Sequence, residues 1–188
     1  MLFRSSCNRL NKRIEQILDF SRIAFSVVHP TECLIDMVKV TRALCDEARP
    51  YAVAAGTELV FEDTVDGPVA VKVDVELLEK AVLNLLSNAF RDVSSRGTVT
   101  MRVTTRDGWA FLQVSDTGAG IDPDDLPHVF DRFYRSPKSP GEGSGLGLSI
   151  VQGIIKAHGG RIWVESKKGA GACFVIRLPR SEDQAKAG

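Results

Sequence analysis

Three groups of residues in this chain have the chemistry to hold a ligand that carries both an amine-bearing ring and phosphates. The first lies in Val75–Asp92, which reads as a helix with Leu78, Ala81, Val82, Leu85, Leu86 and Ala89 on its core face. At 100° per residue, Lys80, Asn84, Asn88 and Arg91 fall within about 80° of one another. One face thus carries two amides and two cations. Polar stripes on helices are ordinary solvated faces. Asparagine, however, is a mediocre helix former that competes with the backbone, and two at i and i+4 suggest a task. The second group is Asp116-Thr117-Gly118-Ala119-Gly120, directly after a strand. A strand-end carboxylate can accept a hydrogen bond from an exocyclic amine, while glycines let backbone approach a ring closely. Taken alone it also fits a plain turn. The third is Gly141, Gly143, Gly145 and Gly147, alternating before a helix that opens at about Leu148. Exposed N–H groups and the helix dipole both favour phosphate at such a place. A flexible linker would have no need of Leu146 and Leu148 set among the glycines. The spacing is not GxGxxG, and no P-loop lysine follows.

Taken in order, four stretches carry a resemblance. They are Asn84-Leu85-Leu86-Ser87-Asn88-Ala89, Asp116-Thr117-Gly118-Ala119-Gly120-Ile121, Phe130-Asp131-Arg132-Phe133-Tyr134-Arg135 and Gly143-Ser144-Gly145-Leu146-Gly147-Leu148. They resemble the N, G1, F and G2 boxes of the ATP-binding domain of sensor histidine kinases, over about residues 30 to 180. The resemblance implies a Bergerat (GHKL) fold, ATP and Mg²⁺. It implies that Asn88 ligates the metal, for which one amide oxygen suffices, since Mg²⁺ keeps several waters and phosphate oxygens. It implies that Arg91 reaches the phosphates and that Asp116 reads the adenine amino group, with Thr117 assisting through water. Gly118, Gly120, Ile121, Tyr134, Gly143, Gly145, Leu146, Gly147 and Leu148 complete the implied nucleotide contacts. Related ATPases of this fold carry a glutamate that activates water where this chain has Asn84. An amide cannot take a proton, so hydrolysis is expected to be slow and transfer to wait for a better nucleophile.

The segment from about Asp122 to Ser144 contains Pro123, Pro127, Pro137 and Pro140 and is too broken for core structure. It resembles the family's ATP lid. Phe130, Phe133 and Tyr134 are candidate apolar anchors. Arg132 or Arg135 is expected to approach the γ-phosphate or a partner helix, and the sequence does not divide those jobs between them. Two positions depart from the family pattern. Asp92 stands where an aromatic residue is usual, and Ala172 follows Gly169-Ala170-Gly171 where threonine is usual.

A phosphoacceptor is missing. Transfer in the family goes to a histidine on the first of two hairpin helices. His29 precedes Pro30, His128 lies in the lid, and His158 ends a helix, where a cation-capable ring suits the dipole. Phe3, Cys7, Leu10, Ile14, Ile17, Ser21, Ala24 and Val28 form a heptad seam that needs a partner helix. Self-association through residues 3–28 is the natural inference, and packing back on the chain's own domain is the alternative. This helix is similar to the second helix of the dimerisation hairpin. The chain thus reads as a fragment of a longer kinase, or as a split kinase that phosphorylates a histidine on another protein. Its expected partners are a histidine-containing helix or protein and a response regulator receiver domain. A non-catalytic nucleotide-sensing or dimerisation module and a serine-directed kinase of the anti-sigma type are the competing readings.

The elements that position these groups follow from periodicity. An amphipathic helix is expected from about Cys33 to Ala55, bent or interrupted near Pro50 and ended by Gly56. Glu58–Asp63 and Val69–Val73 read as strands, and Asp74 as the N-cap of the next helix. Thr98–Thr105 and Trp109–Ser115 read as a hairpin across Asp107-Gly108. Ser149–Ala157 reads as a helix, and Arg161–Glu165 with Cys173–Leu178 as a second hairpin. The expected fold is an α/β two-layer sandwich, with a mixed, mostly antiparallel sheet covered by helices on one face. Residues 1–29 would be a partial dimerisation helix, 30–180 the catalytic domain and 181–188 a disordered tail.

The totals narrow the class. Apolar residues make up 44%, enough for a core, and 24 basic residues cancel 24 acidic ones. That balance argues against a dedicated nucleic-acid or membrane-surface binder. Cys7, Cys33, Cys45 and Cys173 form no CxxC pair and read as buried free thiols in a reducing compartment. No run of 18 apolar residues exists, and the N-terminus lacks a signal peptide's apolar core. A cytoplasmic placement is expected for this part, with a membrane-anchored parent left open.

Overall fold

The computed structural model describes residues 30–93, 96–137 and 144–181. The heptad helix, Lys138, Gly141, Gly143 and residues 182–188 lie outside the described residues. The chain enters through strand β1 (Cys33–Asp36), which pairs antiparallel with β3 (Ala70–Val73), Cys33 opposite Val73. Helix was expected from Cys33. Those four residues are strand because their backbone is taken by β3. Asp36, in extended conformation, caps the helix that follows by accepting from Val38 N–H at 3.1 Å. Helix α1 (Met37–Ala55), expected to be bent or interrupted near Pro50, runs through Pro50 as one element and ends at Gly56 with φ 68°.

Strand β2 (Glu58–Asp63) and β3 lead to helix α2 (Val75–Asp92), whose N-cap Asp74 accepts from Leu77 N–H at 3.2 Å. The six residues assigned to its core face are all buried. Hairpin β4 (Thr98–Arg106) and β5 (Trp109–Asp116) turns at Asp107-Gly108, both with positive φ. Helix α3 (Gly147–Ala157) precedes the hairpin of β6 (Arg161–Ser166) and β7 (Ala172–Pro179). The five-stranded sheet has the order β2-β4-β5-β7-β6. Its β2–β4 pair is parallel and the other pairs are antiparallel.

Alternation along the strands sends Val99, Met101, Val103, Ala110, Leu112, Val114, Phe174, Ile176 and Leu178 into one core with the helices. That core fixes the axis of α2, and so the direction in which its polar stripe faces. Truncating a residue such as Leu85, fully buried here, costs about 2–5 kcal/mol.

His158, 4% exposed, bridges the two helices of the candidate site. Asp74 N–H donates to its Nε2 at 2.9 Å, and its Nδ1 lies 2.8 Å from the Ile154 carbonyl oxygen. Nδ1 is therefore the donor. The ring ties the end of α3 to the start of α2, a structural role. The cysteine expectation also needs correction. Cys45 is buried and Cys173 half-buried, but Cys33 is exposed, and all three are free thiols. Among the described residues, no helix is long and apolar enough to cross a membrane.

Candidate nucleotide site

Asp116 is the last residue of β5 and shares the helix-facing side with Val114. Its Oδ1 accepts from Gly118 N–H at 2.8 Å. Burial pushes its pKa up. The backbone N–H groups of Gly118 and Ala172 oppose that rise, and the nearby charge of Asp92 adds to it. A carboxylate has about four acceptor positions, so two backbone donors leave room for an amine.

The loop after Asp116 is braced across a long sequence separation. Thr117 Oγ1 accepts from Thr98 N–H at 2.9 Å, and Thr117 N–H donates to the Thr98 carbonyl at 3.1 Å. Ile121 N–H donates to Ser166 Oγ at 2.9 Å, and that hydroxyl donates to the Gly171 carbonyl at 2.6 Å. Lys168 Nζ pairs with Asp122 Oδ2 at 2.9 Å. Gly171 has φ 81°, and a Cβ there would overlap the Asp116 carbonyl oxygen; one at Gly118 would overlap the Asp92 carbonyl oxygen. Both glycines are therefore fixed by close approach of backbone to backbone. A recess of about 310 Å³ opens beside this loop, lined by Ser115, Asp116, Ser166, Gly171 and Cys173 among others. Ser115 and Cys173 sit on the sheet face opposite Val114 and Phe174, so this recess borders the site without forming its cradle. Burial raises the pKa of the Cys173 thiol.

The other end is built on α2 and α3, which pack together. Asn84 and Asn88 are half-buried and Arg91 is exposed. Asn84 Nδ2 donates to the Lys80 carbonyl at 2.9 Å, which orients the amide. Its Oδ1 faces the start of α3, where a Cβ at Gly147 would stand 3.3 Å away. Helix α3 begins without a side-chain cap, and just before it Leu146 N–H donates to Ser144 Oγ at 3.3 Å. The first N–H groups of a helix have no intrahelical acceptor, which makes such a start suited to an anion. Leu146 is 1% exposed, so its side chain anchors the glycine run in the core and only its backbone can meet a ligand. Leu148 packs against the core edge, as does Ile121. Gly145 has φ 70° and its carbonyl accepts from Phe133 N–H at 2.9 Å, joining the cradle to the lid.

Several bonds are local to the lid. Leu126–His128 form one 3-10 turn. Tyr134 donates its hydroxyl to Asp125 Oδ1 at 2.7 Å, and Asp125 is only 6% exposed. His128 Nδ1 lies 2.8 Å from Asp131 Oδ2. Phe130 packs edge-on to Phe174 with ring centres 6.3 Å apart. Phe133, expected as an anchor, is 63% exposed with φ 61° and does not pack into the core. Arg132 and Arg135 are both exposed on this segment.

The structure thus brings Asn84, Asn88, Arg91, Asp116 and Gly147 to one end of the sandwich, with the lid attached at Gly145. Sequence reading missed Ser166 and Asp125. Ser166 acts from 45 residues beyond Ile121, and nothing in a single serine after a strand signals that. The donor set fits a nucleotide with its metal: one half-buried acceptor, an uncapped helix start, and amide oxygens on the facing helix.

Comparison with known proteins agrees. The model of the family described as histidine kinase-, DNA gyrase B-, and HSP90-like ATPase matches residues 73–182. The sensor histidine kinase TrcS of Mycobacterium tuberculosis is 38% identical over 187 residues, covering 96% of this chain and 36% of TrcS. The mycobacterial sensor histidine kinase MprB superposes with a TM-score of 0.69 at 33% identity, covering 80% of this chain and 98% of that one. Full-length ShkA, solved in complex with AMPPNP, superposes with a TM-score of 0.84 at 26% identity, covering 95% of this chain and 37% of that one. Against four curated relatives the chain spans between 13% and 45% of their length. With a matching domain and fold, the chain belongs to the histidine kinase-, DNA gyrase B- and HSP90-like ATPase family, on its sensor histidine kinase side.

Proposed function

We propose that this chain is the ATP-binding catalytic part of a two-component sensor histidine kinase. It transfers the γ-phosphoryl group of ATP to a histidine supplied by another segment or protein. The observation that carries this reading is the uncapped, glycine-led start of α3 held against Asn84, with the half-buried Asp116 beyond the end of α2. Asp116 accepts the adenine amine. The first N–H groups of α3 and the Arg91 guanidinium meet the phosphates. Asn88 offers its amide oxygen to Mg²⁺, which when bound neutralises phosphate charge. Asn84 is an acceptor that cannot take a proton, so water in the site has no base there. An incoming imidazole nitrogen needs none. It attacks the γ-phosphorus as the bond to the bridging oxygen breaks and ADP departs. Arg132 or Arg135, both exposed on the lid, would meet the γ-phosphate or the acceptor helix.

The acceptor is a histidine-bearing helix, and the phosphoryl group passes on to a receiver domain. Residues 3–28 would supply a homodimer seam. The test is incubation with a phosphoacceptor hairpin and γ-labelled ATP. An acid-labile phosphoprotein, lost with Asn88→Ala, is expected; absence of label at saturating protein would sink the proposal. One observation favours a second reading, a non-catalytic nucleotide-sensing module: Arg91 is already engaged by Asp92. That reading requires nucleotide binding with no transfer to any acceptor.

A further inference from the structure

Asp92 is a carboxylate that the transfer chemistry leaves without a task. It closes α2 one turn beyond Asn88, on the same stripe. Its Oδ1 takes Arg91 Nε at 3.1 Å and its Oδ2 takes Arg91 Nη2 at 3.5 Å. The cation that the stripe offers to phosphates is thus held two-pronged by its sequence neighbour. The backbone of Asp92 is not free to carry this charge elsewhere, because its carbonyl is pressed against Gly118 where no Cβ would fit. On the other side its charge reaches Asp116 and disfavours that carboxylate's ionised form. One carboxylate therefore stands between the phosphate-binding cation and the base-reading acceptor.

We propose that Asp92 is an affinity-setting residue, a brake on phosphate binding: it occupies Arg91 in the empty site and must be exchanged for a phosphate oxygen each time a nucleotide binds. This rests on the nucleotide reading of the site. Two charges follow that exchange. Arg91 leaves a partner tethered at the next residue, and the released carboxylate then faces the incoming phosphates, a like-charge pairing. Both effects act against nucleotides with a charged tail and leave an uncharged adenosine untouched. They also favour departure of ADP, so the occupancy of the site follows the surrounding nucleotide pool. The Arg91 and Asp92 side chains are 47% and 53% exposed, so the pairing is one that salt weakens.

The test is calorimetric titration of wild type, Asp92→Asn, Arg91→Ala and the double variant with adenosine, MgADP and a non-hydrolysable MgATP analogue. Asp92→Asn is expected to bind both charged nucleotides roughly threefold to fivefold tighter, the range of an exposed ion pair, and adenosine as wild type does. Asp92→Ser is expected to give the same gain. In the Arg91→Ala background, most of the gain disappears, and at high salt the wild type approaches the variant. Equal gains for adenosine and the phosphorylated nucleotides would overturn the brake and point to Asp116 instead. Weaker binding of the magnesium complexes by Asp92→Asn would overturn it in favour of a metal ligand. Unchanged binding by Asp92→Asn would overturn the brake alone, whereas no binding by wild type and all variants would overturn the nucleotide site with it.

Discussion

The base-reading end and the phosphate end of this site are held in different ways. Around Asp116, backbone and side chains from β4, β5, and the β6–β7 turn interlock across 19 to 46 residues of sequence. Around the lid, the bonds of Tyr134 to Asp125 and of His128 to Asp131 span nine and three residues, while Lys168 ties the lid's first residue, Asp122, to the β6–β7 turn. The lid also meets the rest of the domain through the Phe130–Phe174 contact and the Phe133–Gly145 backbone bond. A rigid end needs no ordering when the ring arrives, and preorganisation of that kind adds affinity. A locally tied lid can be reshaped by the phosphates, which suits a segment that closes over a reacting group. On the proposed reading, adenine recognition then belongs to the fold, while phosphate handling is completed on binding.

Breaking the rigid end is expected to produce the largest effect. Gly171→Ala puts a Cβ into the Asp116 carbonyl oxygen at a residue with φ 81°. The loop must shift, carrying Asp116 with it. Adenosine and MgADP binding should fall by roughly 100-fold or more, about 2.7 kcal/mol, with a melting temperature lowered by about 5 °C. Gly169→Ala is the control. It has the same φ of 81° but nothing within 4 Å, so it keeps only the left-handed strain, about 1–2 kcal/mol. If calorimetry and thermal melting found the two variants alike, close approach at Gly171 would not be what holds the base end.

Asp116→Asn separates affinity from stability. Burial raises the Asp116 pKa in the folded chain, so the folded state holds the proton more tightly than the unfolded one. Stability from this group is then present at low pH and is lost as pH rises through the folded pKa. At pH 7 the charge is a burden that the amide removes. The variant should melt roughly 2 °C higher at neutral pH while losing about 10- to 100-fold in adenosine affinity. In the wild type, affinity should begin to fall on acidification at a pH above that of an ordinary aspartate. A lower melting temperature for the variant would show that the Gly118 and Ala172 donors, not burial, dominate.

The two ends also differ in how well the sequence revealed them. Helix α2 was legible to its last residue, because capping by Asp74 and a 3.6-residue apolar period agree. Asp116 and the glycine run were legible because strand end, glycine and helix start are local signals. The strand at Cys33–Asp36 was not, since its partner lies across the whole of α1 and its own pattern also fits a helix. Ser166 was invisible for the same reason. Phe133 misled because an aromatic residue reads as an anchor until its left-handed backbone turns it outward. What periodicity conveys is which face is buried; which distant group completes a buried polar network is a tertiary fact.

A milder change at the lid should leave the base end alone. Tyr134→Phe removes one donor from the buried Asp125 carboxylate. That costs about 1–2 kcal/mol locally, and a melting temperature roughly 3 °C lower is expected. Affinity for a non-hydrolysable ATP analogue should fall by roughly threefold, and adenosine affinity should not change. A loss in adenosine binding equal to the loss in triphosphate binding would mean that the two ends are one cooperative unit.

The smallest effect is expected at Phe133, and it sharpens the contrast within the lid itself. Phe130 and Phe133 are three residues apart, yet one packs edge-on to Phe174 and the other is 63% exposed. Phe133 holds φ 61°, a left-handed conformation that costs a side chain about 1–2 kcal/mol. Phe133→Gly relieves that strain, but glycine gives the unfolded chain added freedom of about 0.5–1 kcal/mol. The terms oppose each other, so the melting temperature should stay within about 2 °C of wild type. The Phe133 N–H that meets the Gly145 carbonyl is retained, so MgADP affinity should be unchanged. Phe130→Ala should instead cost about 3 kcal/mol by emptying the space against Phe174. Thermal melting and ADP titration of the pair decide the matter: equal losses would mean that Phe133 is an anchor after all, whereas a loss at Phe130 alone ties the lid's footing to the sheet.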